Sequence, residues 1–228
     1  MMEHDQRHNS PDLVELPLFP LNQVLFPGMR LPLHIFEERY KTMIGECIDS
    51  NSPFGVLLIK EGPEAGGTAE PFRVGTTARI TQNTQLDGGR LNILSIGEKR
   101  FQLIEIIKTT PFMLGNIQYL SEELGEVPES LIIEISEEYS TFLKQLATVA
   151  GGWNRTISIN SDPASLAREV IATMAASIEM PKILCQQLLE NSAVASRLET
   201  LLPLLKQGNE LMQEKVEDSN PFKGARLN

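Results

Sequence analysis

Catalysis by side chains needs nucleophiles, proton carriers or metal ligands that converge, and this chain offers few candidates. Its histidines are His4, His8 and His34. Two fall in the leader MMEHDQRHNSPD, and the third alternates with Leu33 and Ile35 as a strand residue would. Cys47 and Cys185 are far apart and have neither a CxxC spacing nor a histidine neighbour, so both read as reduced core thiols. A phosphate-cradling turn closing on Gly-Lys-Ser/Thr is missing: GGTAEPFRVG has no lysine, and IGEKRF places Glu98 between Gly97 and Lys99. Neither GxGxxG nor a GxSxG elbow occurs. The expectation is a chain with no catalytic residues, no metal and no cofactor.

The stretch that stands out is LPLFPLNQVLFPGMRLPLHIFEERY, residues 16–40, in which prolines are scattered among large apolar residues before the chain turns charged. Each proline pushes its predecessor toward an extended conformation, and Pro27-Gly28 fits the centre of a type II turn. In one reading Phe26 covers a core of leucines. In the other, Phe19, Phe26 or Met29 stays partly exposed in a groove edged by the proline-bearing strands, where an extended peptide could add to a sheet edge, with Tyr40 and Phe101 as further contact candidates. Glu37 is expected to pair with Lys41 or Arg100 as scaffold.

The elements that must position these residues change character near residue 125. Before it, 14–19, 30–36, 54–59, 72–80, 90–97, 101–107 and 112–120 read as strands, with a helix from Phe36 to about Asn51 between them. Pro17 and Pro32 mark two of the strands as edges or bulges. Asp87-Gly88-Gly89 reads as a hairpin turn, and EGPEAGGTAE (61–70) as slack connection or lid, slack being favoured. Beyond it the period becomes helical. One helix runs from Leu131 to Val149 and ends at glycines, another starts at Asp162-Pro163, a third at Pro181, and a fourth follows a cap at Ser192. Pro203 should bend or divide the last, and the chain past Met212 should fray. This gives an α+β chain with a β domain over 13–122, a helical bundle over 129–217, and flexible tails at 1–12 and 218–228.

Composition sets limits on partners. With 41% hydrophobic and 22% charged residues the chain is ordinarily globular. Its net charge of -10, most of it beyond residue 120, repels phosphate backbones, so nucleic acid is not the expected partner. Neither a targeting segment nor a run of 18 apolar residues is visible, so a soluble, cytoplasmic protein that avoids membranes is expected. The amphipathic helical half leaves a homo-oligomer open.

The opening stretch, together with FGVLLI, VGTTARI, DGGRLNILSIGEKRF, DPASLAREVIATM and QQLLENSAVASRLETLLPLL, resembles the N-terminal substrate-binding domain of the Lon protease family over roughly residues 13–207. The resemblance implies a PUA-like, twisted, barrel-like β domain with one inserted helix, followed by a helical bundle. It also implies a stand-alone, non-catalytic module for unfolded or extended polypeptide or a protein partner, acting as an adaptor or in quality control. RNA binding through the PUA-like fold is the alternative. The residues that carry the match are Leu18, Pro20, Phe26, Pro27, Gly28, Phe36, Glu37, Arg39, Tyr40, Gly75, Asp87, Gly88, Arg100 and Phe101, a signature of fold. Cys185 stands where many relatives have lysine, and Pro203 falls in the final helix.

Overall fold

The computed structural model describes residues 13–64, 66–67, 69–151 and 158–218. Six strands, β1 (Val14–Leu21), β2 (Arg30–Ile35), β3 (Phe54–Glu61), β4 (Glu70–Gln85), β5 (Leu91–Lys108) and β6 (Met113–Tyr119), form one sheet in the order β2-β5-β4-β3-β1-β6, and β5 pairs with β6 as well. Helix α1 (Glu38–Asp49) interrupts them, and α2 (Glu129–Val149), α3 (Pro163–Ser177), α4 (Lys182–Glu190) and α5 (Val194–Asp218) follow. The described residues fall into two compact units, one within 13–23, 32–95 and 99–120, the other within 24–31, 96–98 and 121–218. The sheet is mixed, since β1 runs parallel to β3 and antiparallel to β6.

Prolines in β1 are accommodated by stagger. Leu18 to Leu21 pair with Gly55 to Leu58 of β3, whereas Val14 to Leu18 pair with Ile117 to Met113 of β6. Pro17 therefore has a registered partner only on β6 and Pro20 only on β3, so neither missing amide interrupts a ladder on both sides. The expectation that β1 is an edge or bulged strand is thus corrected: it is internal, pairs with β3 and β6 without a register shift, and has one side open at each proline. Pro32 does lie on the end strand, β2. The two strands expected over 90–97 and 101–107 are one continuous strand, β5.

The core of the first unit gathers Leu16, Leu18, Leu57, Phe101, Leu103, Met113 and Ile117. Phe101 is fully buried, with its ring tip against glycines of β3 and β4. A Cβ at Gly55 would lie 2.8 Å from Phe101 Cζ and from the ends of Leu16 and Leu18. At Gly75 it would lie 2.9 Å from Phe101 Cζ and 2.2 Å from the Val56 carbonyl oxygen. At the β4–β5 hairpin Gly88 adopts φ 72°, and the Leu86 amide donates to Arg90 O at 2.8 Å, as the turn signal requires.

In the second unit the Pro27-Gly28 turn forms as its sequence demands. Met29 N donates to Phe26 O at 3.1 Å and Gly28 has φ 83°, the geometry of a type II turn. Gly28 N donates to Gly97 O at 2.8 Å, and Gly97 N to Met29 O at 3.0 Å.

Each helix of this unit has a local reason to start or stop. Asp162 accepts from Ser165 N at 2.9 Å with Pro163 behind it, opening α3. Gly151, at φ 69°, donates to Thr148 O as α2 closes. At the last helix the polar side chain at work is Asn191, whose Oδ1 accepts from Ala193 N at 3.0 Å and whose Nδ2 donates to Ser196 Oγ; Ser192 instead offers its carbonyl to Glu123 N at 2.9 Å. That bond, its counterpart from Val194 N to Glu123 O and the Glu122–Arg197 ion pair fasten the linker after β6 to the head of α5.

Helix α5 continues through Pro203 and past Met212 to Asp218, so of the expected bend or division at Pro203 the division does not occur, and the stretch past Met212 is helical rather than frayed. Its apolar face, with Val194, Leu198, Leu201, Leu205 and Met212 buried, packs on α2 and α3 and holds both stretches in helix. Polar contacts to α2 advance together along both helices: Glu134 to Lys206 at 2.6 Å, Glu138 to Asn209 at 2.7 Å and Gln145 to Gln213 at 3.3 Å. The two helices are therefore parallel. Of the expected tails at 1–12 and 218–228, Asp218 is instead the last residue of α5, and the rest lies outside the described residues.

Two predictions concern stability. Gly75→Ala should lower it by about 2 to 3 kcal/mol in urea unfolding, because the added carbon meets backbone oxygen that cannot retreat, and Gly55→Ala should cost less because it meets only side-chain ends. Side-chain and backbone hydrogen bonds from Ser165 hold the Asp162 carboxyl below the usual aspartate range. Its stabilising contribution is therefore present above the unfolded aspartate pKa and lost as pH falls through the lower folded value. Asp162→Ala should flatten the acid limb of the stability profile.

Candidate functional site

The richest convergence of sequence-selected residues is where β1 meets the start of α1. Glu37 precedes the helix in extended conformation (φ -73°, ψ 135°), and its carbonyl accepts from Tyr40 N and Lys41 N at 3.0 and 2.9 Å. Its carboxylate does not cap the helix. Instead Oε2 receives Arg39 Nε at 3.1 Å and Nη2 at 3.0 Å, and Gly66 N at 3.4 Å. Lys41 pairs with Glu38 at 2.8 Å and donates to Gly88 O at 2.9 Å, so the expected Glu37–Lys41 contact is replaced by one at i,i+3.

Arg39 and Tyr40 are set by this arrangement. The guanidinium lies 4.5 Å from the Tyr40 ring centroid and sends Nη1 to Gly67 O at 3.1 Å. Tyr40 stacks on Phe19 at 3.9 Å with 21° between the ring planes, which ties α1 to β1. Burial raises the Tyr40 phenol above its ordinary pKa of 10.0; Arg39 opposes the rise, while Glu37 and Glu64 add to it.

Described residues of the β3–β4 connection, Pro63, Glu64, Gly67 and Ala69, lie beside Tyr40. Glu64 accepts from Asn22 N at 3.1 Å and from Asn22 Nδ2 at 3.0 Å, so the segment read as slack is fastened at Glu64, Gly66 and Gly67. Beneath it is a small pocket with about 30 Å³ of free volume, room for one water, walled by Pro20, Tyr40, Pro63, Ala69, Phe112 and Met113 and rimmed by Arg39 and Glu64. Asn22 and Glu64 were not visible as partners in sequence, because 42 positions separate them and neither sits in a motif.

Of the contact candidates, Phe19 and Tyr40 meet here, with 7% and 6% of their surface exposed. Phe101 is core of the same unit. Phe26 is buried and Met29 half-buried at the Pro27-Gly28 turn of the other unit. Among the signature residues Pro20 and Arg100 are buried, Pro27, Glu37 and Arg39 half-buried, and Gly28, Gly88 and Phe36 exposed, Phe36 with its ring 6.2 Å from that of His34. Cys47 and Cys185 are buried free thiols, and burial raises both thiol pKa values. Among the described residues, no cluster of three His, Cys, Asp or Glu side chains is placed to hold a metal, and no helix is long and apolar enough to cross a membrane.

What the fold defines is an α+β protein in which a mixed sheet is followed by a helical bundle. The chain belongs to the ATP-dependent protease La (LON) substrate-binding domain family, whose model matches residues 15–207. It is 23% identical over 214 residues to the Lon protease of Anaeromyxobacter dehalogenans, covering 92% of this chain and 25% of that protein. It is 31% identical over 131 residues to the Lon protease of Flavobacterium johnsoniae, covering 56% and 16% respectively. The chain thus spans about a quarter or less of these relatives.

Among solved structures, the Lon N-terminal domain protein from Xanthomonas campestris superposes with a TM-score of 0.62 at 24% identity, over 83% of this chain and 98% of that one. The N-terminal domain of the Mycobacterium avium complex Lon protease gives 0.59 at 20%, over 85% and 98%. The expectation of a non-catalytic chain agrees with a family defined by substrate binding.

The site generates one optical prediction. Tyr40→Phe should remove a single late-ionising phenol from the ultraviolet titration of the folded protein. Since the folded pKa is the higher, the stability due to neutral Tyr40 is complete below the unfolded value and disappears as pH rises through the folded one, a loss the variant should not show.

Proposed function

We propose that the chain is a non-catalytic polypeptide-binding module of the Lon substrate-recognition type, acting in the cytoplasm as an adaptor or quality-control factor. The observation that carries this reading is the family match over residues 15–207, which takes in the whole sheet, α1 to α4 and the first half of α5. In this reading the buried rings of Phe19, Tyr40 and Phe101 support the surface of the first unit from within. Contact on that unit falls to side chains that reach solvent, such as Phe36 after β2; Phe26 and Met29 belong to the other unit, where Met29 is half-buried at its turn.

Simple strand addition along β2 is disfavoured, because Pro32 offers no amide in the middle of that edge. The second pairing of β5 with β6 supports a PUA-like description of the sheet. RNA binding is disfavoured by the net charge of -10, and Arg39, Lys41, Lys60, Arg197 and Lys206 are each engaged by a glutamate.

The immobilised full chain should retain a reduced, carboxymethylated polypeptide at micromolar protein and release the same polypeptide when it is folded. Recovery of neither form would remove the proposal, and retention of labelled RNA at low salt would replace it.

A further inference from the structure

Strand β5 carries the buried Phe101 and Leu103, yet every residue from Ile104 to Pro111 is exposed. Three of these are isoleucines: Ile104, Ile106 and Ile107 leave 43%, 39% and 43% of their surface in water. The pairing with β6 shows how they come to be there. Leu103 stands against Ile117 and Ile106 against Gly115, while Glu105 is matched with Asn116 and Lys108 with Leu114, so Ile104 and Ile107 are the extra residues of two successive bulges. Each bulge sets two residues of β5 against one of β6. The pairs Ile104–Glu105 and Ile107–Lys108 therefore share the face of Asn116 and Leu114, opposite the face of the buried Ile117. Across that face Asn116 Nδ2 donates to Glu105 Oε1 at 2.7 Å.

The face is apolar at its centre and electrically balanced. Its cations are Lys108, whose ammonium lies 5.0 Å from the Phe112 ring centroid, and Arg73 of β4, whose Nη1 donates to Ile104 O at 3.3 Å. Neither is engaged by a carboxylate among the described residues. Its acids are Glu105 and Glu15, the β1 residue paired with Asn116. Two cations and two acids sum to zero, in a chain whose net charge is -10. Two copies can therefore meet here without bringing like charge together.

We propose that this face is where two copies of the chain associate about a two-fold axis. With the axis lying across β5 and β6 at the level of the Ile106–Gly115 pair, the two β5 strands run antiparallel, face to face. Ile104 of one copy then meets Ile107 of the other, and Glu105 meets Lys108, each contact occurring twice. The face is its own complement because the two bulges lie one on either side of that pair, each with an isoleucine, and the charged residues beside them have opposite sign. Strand β5 pairs with both β4 and β6, so side chains rather than an open strand edge make the contact. One hairpin face is smaller than a permanent interface, and the association is reversible.

Sedimentation velocity of the full chain from micromolar to millimolar concentration should show a monomer passing to a dimer. Glu105→Lys and Lys108→Glu should each weaken the dimer by about tenfold, because each sets two like-charge contacts across the axis. The double variant Glu105→Lys/Lys108→Glu should recover wild-type association, a rescue that neither a merely structural role nor a different partner surface would produce. Ile104→Thr/Ile107→Thr keeps β-branched side chains and with them the strand, and it should remain monomeric throughout. A wild-type chain that stays monomeric over this range, a dimer unchanged in all four variants, or single losses that the double variant does not restore would each overturn the proposal.

Discussion

Phe101 has a place in the core only because β3 and β4 each present a glycine to it. With side chains at positions 55 and 75 the ring tip would have nowhere to go, and the leucines of β1 that pack around Gly55 would have to move as well. The constraint propagates outward. Leu16 and Leu18 must enter this layer, so β1 must lie between β3 and β6. The prolines that flank those leucines are tolerated because β1 passes from one partner to the other along its length. Phe19 then points to the opposite side of the strand from Leu18, where it meets Tyr40 and fixes the first helix.

Charge around that junction is arranged for geometry rather than for reaction. Arg39 has a planar fork, and each of its contacts uses a different part of it: a carboxylate one way, a backbone carbonyl another, and an aromatic face below. Lysine could not satisfy the three together. Both members of the Glu37–Arg39 pair keep roughly a fifth to a quarter of their side-chain surface in water, so the interaction is modest in energy, and its role is to fix orientation.

Much of the fold could be read in the sequence because its local signals agree with its global needs. The type II turn at Pro27-Gly28, the hairpin at Asp87-Gly88 and the Asp162-Pro163 helix start are each decided within a few residues, and each forms where its residues place it. Where packing decides, local reading went astray. Pro203 is overridden by the apolar stripe on either side of it, the polar stretch past Met212 stays helical beside α2, and residues 98–100 continue a strand that composition alone would break. The apolar residues of the opening stretch were legible as a group, but burial was not, since periodicity cannot tell a ring in the core from one at a surface. The Asn22–Glu64 contact had no signature at all, because long-range polar pairs leave no trace in spacing.

The parallel course of α2 and α5 bears on where a self-sufficient fragment could be cut. The segment recognised by family resemblance stops at residue 207, yet the side chains of α5 that grip the later turns of α2, Asn209 and Gln213, come after that point. A fragment trimmed to the recognisable segment would leave Phe142 without Gly208 as its neighbour and the last turns of α2 facing solvent. The boundary at which this unit can support itself mechanically lies further along the chain than the boundary at which its ancestry can be recognised.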